Sequence, residues 1–142
     1  MSVLRNNLLT LATVSLIAVG GCATTGGSLT SSATRLERSA YALQEEARDD
    51  DARQGYRSDA RELAEEARDF RRTVEDRSSD REDVSEAFND VSRRYHAMRD
   101  EVERSRSREA QADFRPVTEA YLDVEREMRS RGAKRDRYAN DN

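Results

Sequence analysis

From Leu29 onward the chain returns an apolar residue every three or four positions, the spacing that lines one face of an α-helix, and it does so in four separate stretches. The first stripe is Leu29, Ala33, Leu36, Ala40, Leu43, Ala47 and the second is Ala60, Leu63, Ala67, Phe70, Val74. Both are rich in alanine. The third, Val84, Phe88, Val91, Tyr95, Met98, Val102 with Ala87 beside it, and the fourth, Phe114, Val117, Tyr121, Val124, Met128, are bulkier. These patterns predict helices over 29–53, 57–77, 80–104 and 107–131, followed by an unstructured tail over 132–142.

Helix-end chemistry falls between the stripes. Gly55 suits the left-handed position that closes a first helix, Ser79 with Glu82 spells a capping box, and Ser105 and Ser107 separate the third and fourth helices. Short connections place successive helices antiparallel as neighbours, so the expected fold is all-α, an antiparallel up-down four-helix bundle with heptad-like seams.

Pro116 is the discordant residue, because inside a helix it removes a hydrogen bond and clashes with the preceding turn. Two solutions exist. Either the fourth helix starts near Asp113, with Pro116 in its permissive first turn, or it starts near Ser107 and bends. The helix-favouring run Glu109 to Ala112 favours the bend. The third and fourth stripes also match at a constant offset of 26, Phe88 with Phe114 and Tyr95 with Tyr121. Shared heptad demands produce much of that without common ancestry.

The segment before Leu29 follows a different rule. Met1 to Asn7 is polar and carries Arg5, the one charge in the first 21 residues, and Leu8 to Val19 is an apolar run. Twelve helical residues rise only about 18 Å, short of the roughly 30 Å hydrocarbon core, which makes the run an export signal rather than a span. It ends in Val19-Gly20-Gly21-Cys22. That tetrapeptide resembles the lipobox of bacterial lipoproteins, an aliphatic residue and two small ones before the cysteine.

The resemblance covers about the first 22 residues. It implies that Val19, Gly20 and Gly21 are the signal peptidase recognition residues, that 1–21 is removed, and that the Cys22 sulfur carries a diacylglyceryl group through a thioether while its new amine is acylated. Two or three long chains of the palmitate kind, each contributing about 0.8 kcal/mol per buried methylene, hold a protein at the membrane. Ala23 stands where enteric-type lipoproteins kept at the inner membrane have Asp, so the resemblance points to the periplasmic face of the outer membrane. Residues 22–28 then form the lipidated cysteine and a short tether with a reach of about 12–15 Å, ahead of a bundle over 29–131.

Charge and chemistry narrow the function. Removing Arg5 from the 25 basic residues leaves 24 against 29 acidic ones, a mixed and mildly acidic balance with no basic face for nucleic acid. A lone cysteine excludes an internal disulfide. The single histidine, His96, has Arg93 three positions before it in place of the Glu of a dimetal bundle, and it sits one step off the seam, with Asp100 a turn on. Asp49-Asp50-Asp51 fails as a calcium loop, because Arg53, Gln54 and Ala60 fall where ligands, glycine and the bidentate glutamate belong. No serine elbow or phosphate-cradling loop is present.

Tyr95 and Tyr121 fall on seam positions and are expected in the core, whereas Tyr56 and Tyr138 are expected at the surface. The basic residues from Arg129 to Arg137 suit a helix C-terminus, although they also fit anionic headgroups. The expectation is therefore a non-enzymatic protein without catalytic residues, metal or cofactor beyond the covalent lipid on Cys22. It is expected to work through an envelope protein partner or self-association, in an accessory, adaptor or envelope-maintenance role. The alternative is a periplasmic module that binds peptidoglycan, lipid or a small apolar molecule between its helices, with the aromatic seam as wall.

Overall fold

The computed structural model describes residues 28–48 and 54–140, the side chains of residue 54 and of residues 132–140 excepted. Four helices make up these residues: α1 (Leu29–Arg48), α2 (Gln54–Glu75), α3 (Arg81–Ser105) and α4 (Arg108–Asn140). The signal, the lipobox and the Asp49 to Asp51 cluster lie outside the described residues.

Every member of the first stripe is buried, because each falls on the one face that α1 turns inward. Ala60, Leu63, Ala67 and Phe70 of α2 join them, as do Val91, Tyr95, Met98 and Val102 of α3 and Phe114, Val117, Tyr121 and Val124 of α4. Val74, Val84, Phe88 and Met128 are only partly covered. All four lie toward one end of the bundle, and that asymmetry shapes the site described below.

Cross-helix contacts fix the topology. Phe70 meets Phe88 with ring centroids 5.9 Å apart, while Glu62, earlier on α2, pairs with Arg94, later on α3, so these helices run antiparallel. Phe88 meets Tyr121 and Tyr95 meets Phe114, which makes α3 and α4 antiparallel too. Arg35 of α1 reaches Asp123 of α4 at 2.7 Å and Arg71 of α2 pairs with Glu37 of α1, closing a four-cornered ring of helices. The up-down four-helix bundle expected from the stripes is the fold observed.

The helix ends correct several details of the sequence reading. α3 is capped by Asp80, not Ser79: its carboxylate accepts the N–H groups of Glu82 at 2.7 Å and Asp83 at 3.1 Å, while Asp83 accepts the N–H of Asp80 at 2.9 Å. Both N–H groups meet the same carboxylate oxygen, Oδ1, and the negative charge complements the helix N-terminus, an advantage that a serine hydroxyl lacks. Gly55 lies inside the first turn of α2 without a positive φ, so it closes no helix. The left-handed position belongs to Arg106, with φ 51° and ψ 19°, whose N–H donates to Glu103 O as α3 ends. Ser107 then caps α4 by accepting the N–H of Ala110 at 3.2 Å.

A side-chain-bearing residue in the left-handed region costs about 1–2 kcal/mol, and glycine escapes that cost. Arg106→Gly is therefore expected to raise the thermal midpoint by an amount equivalent to about 1 kcal/mol, read by circular dichroism. A lowered midpoint would mean that the arginine side chain contributes more than its backbone costs.

α4 begins at Arg108 and carries Pro116 in its interior, so the alternative in which helix four starts near Asp113 does not hold. The proline and Ala112, whose carbonyl loses its intrahelical donor, are both exposed. Water can serve that carbonyl there, which is why this face tolerates the interruption. α4 also runs on as helical backbone to Asn140, where the sequence suggested an unstructured tail from 132. Ala133 and the Arg and Lys residues around it favour helix strongly enough to outweigh Gly132.

Candidate functional site

The two halves of the bundle are built differently. Alanines on the facing stripes of α1 and α2 let those backbones approach closely, whereas α3 and α4 make the fewest close backbone approaches of the four adjacent pairs. Between α3 and α4 stands a column of rings. Tyr95 and Tyr121 stack with centroids 3.9 Å apart and planes within 8°, Tyr95 continues onto Phe114 at 5.5 Å, and Tyr121 onto Phe88 at 5.9 Å. The offset of 26 seen in the sequence maps Phe88 onto Phe114 and Tyr95 onto Tyr121. The two flanking contacts are therefore equivalents of each other about the central tyrosine pair, a pseudo-two-fold arrangement along the seam.

Tyr95 and Tyr121 are buried, as their seam positions predicted. The Tyr121 hydroxyl sits 2.7 Å from Ser92 Oγ; burial pushes its pKa up, partly offset by that hydrogen bond. His96 is exposed and presents an edge to Tyr95 and Tyr121, with centroids 5.2 and 6.0 Å away. Tyr41 is 37% exposed. Tyr56 overturns its expectation and is buried at 3%, because α2 starts at Gln54 and places it one helical turn before Ala60 on the same inward face. The break assigned around Gly55 hid this from the sequence.

The column stops at Phe88. Beyond it, among the described residues, Val84 and Met128 face the space between α3 and α4, where an open cleft of about 500 Å³ is floored by these two and Val74. Asp76, Asp80, Arg81 and Arg131 stand around it. Both carboxylates have local partners: Asp80 caps α3, and Asp76 accepts the Ser78 N–H and hydroxyl, each at 2.8 Å, which lower its pKa. Among the described residues, Arg81 and Arg131 make no ion pair. The stripes hinted at this cleft only through the shrinking of their side chains from Phe88 to Val84.

Asp59 marks a second electrostatic feature, at the far end of the α2–α3 interface. Burial, then the nearby Glu101 and Glu62, raise its pKa, opposed by Arg104 and Arg94. A carboxyl whose folded pKa lies above its unfolded value favours folding only when protonated; that contribution is lost as pH rises through the folded pKa. Asp59→Asn is accordingly expected to raise the thermal midpoint modestly at pH 7 and to lose that advantage below the ordinary carboxylate range. An advantage that grew on acidification would contradict this.

Among the described residues no group of three or more His, Cys, Asp or Glu side chains is arranged to hold a metal ion, and no helix is long and apolar enough to cross a membrane. Fold and site together define an all-α four-helix bundle with a self-filled aromatic seam and a terminal cleft. No protein-family model matches the chain, and neither a curated protein nor a solved structure matches it significantly.

Proposed function

We propose that this chain is a lipoprotein anchored through Cys22 in the outer membrane, facing the periplasm, whose helical bundle acts non-enzymatically through contacts with an envelope protein. The observation that carries the reading is the succession of a twelve-residue apolar run, Val19-Gly20-Gly21-Cys22 and a six-residue tether of small residues, followed at once by a helix that Ser28 starts by accepting the Ser31 N–H at 3.3 Å. Protein contact is supported by the seam itself. Rings of α3 and α4 stack on one another, so the middle of the bundle is filled by its own side chains. The outward faces alternate arginine and carboxylate, a surface suited to polar recognition.

Photocrosslinking in intact cells from the exposed positions Tyr41 and His96 tests this reading. A discrete protein adduct in the membrane fraction is expected, and recovery of no protein neighbour from either position would overturn it. A second reading, binding of a lipid or small apolar molecule, is favoured by one observation, the cleft at which the aromatic column ends.

A further inference from the structure

The cleft has a definite place relative to the anchor. α1 starts at Leu29, and Arg35, two turns later, pairs with Asp123 of α4; continuing this antiparallel register brings Leu29 level with Met128. The start of α1, the α2–α3 turn and the cleft therefore share one end of the bundle. Cys22 is six residues from Ser28, at most about 22 Å of extended chain, whereas the opposite end lies about 30 Å further away along α1. On the lipoprotein reading, this turns the cleft end toward the bilayer.

Three features of the cleft select an occupant. Its floor of Val74, Val84 and Met128 is apolar, and it lies at the end of the bundle, beyond Phe88, the last ring of the column. At its mouth the two carboxylates already serve backbone and hydroxyl donors, while the guanidinium donors of Arg81 and Arg131 are left for a ligand. We infer that this end of the bundle admits one acyl chain of an anionic glycerophospholipid from the leaflet, with Arg81 and Arg131 on its phosphate. Such a seat fixes the bundle upright on the membrane, which a tether alone does not.

The chain contains no tryptophan, so a single one placed beside the cleft reports without background. The variants are Ser85→Trp at the cleft and Arg108→Trp at the opposite end, both made in the full chain with Cys22 and with Cys22→Ser. Each is mixed with vesicles of phosphatidylglycerol or phosphatidylcholine brominated at mid-chain. The expected result is quenching of Ser85→Trp by phosphatidylglycerol in both backgrounds, little quenching of Arg108→Trp, and an apparent affinity reduced roughly thirtyfold when Arg81→Gln and Arg131→Gln are combined. Quenching absent in both backgrounds, equal at the two ends, or confined to protein carrying its own lipid overturns the inference. The mass of the Cys22 peptide is read on the same samples, so an unmodified cysteine alongside cleft quenching defeats the lipoprotein reading alone.

Discussion

Phe70→Ala is expected to lower the stability of the bundle by about 3–5 kcal/mol, the range for removing a fully buried ring from a core that collapses only partly. Phe70 has no exposed surface and meets Phe88 at 5.9 Å, where the close-packed alanine half of the bundle joins the aromatic half. Domains of this size hold only about 5–15 kcal/mol in total, so the variant loses a large share of it. The thermal midpoint should fall by about 12–25 °C in a circular dichroism melt. Tyr41→Ala, at an exposed position, should stay within about 0.5 kcal/mol of the parent. A Phe70→Ala protein as stable as the parent would show that the ring does not join the two halves.

Cys22→Ser is the second large effect, and it acts on location rather than folding. No described helix can cross a membrane, and the bundle surface is dense in charge, so the acyl chains are the proposed source of attachment. One acyl chain gives marginal, reversible binding, while two or three together make release negligible. The membrane-to-soluble ratio of the mature protein should therefore fall at least about a hundredfold on Cys22→Ser, with the helical spectrum unchanged. If the cleft also binds anionic lipid, the variant keeps a weak, salt-sensitive association, which high salt removes.

How far the sequence disclosed this molecule follows from which interactions are local. The stripes were legible because a buried helix face must recur at 3.6 residues, and Leu29 to Ala47 falls on the inward face without exception. Caps were less legible. Ser79 and Asp80 are both competent caps, and the choice depends on the chain direction out of the Asp76 turn, which the residue types alone do not settle. Tyr56 was misjudged because Gly55 reads as a breaker by itself, yet a glycine within a first turn costs only about 1 kcal/mol against the burial of a tyrosine.

The cleft was only faintly legible in the sequence, for a different reason. Among the described residues no ring stands between Val84 and Met128, and such a gap exists only once α3 and α4 are set side by side in register. The pseudo-symmetry of the seam, in contrast, was present in the offset of 26, although nothing in one dimension said that the repeated Phe and Tyr would stack on each other.

The mass of the N-terminal peptide of the protein purified from cell envelopes probes the proposed anchor most directly. It should begin at Cys22 and carry a diacylglyceryl group on sulfur with a further acyl chain on the amine. A mature chain that begins elsewhere, or at an unmodified Cys22 in freely soluble protein, would contradict the account.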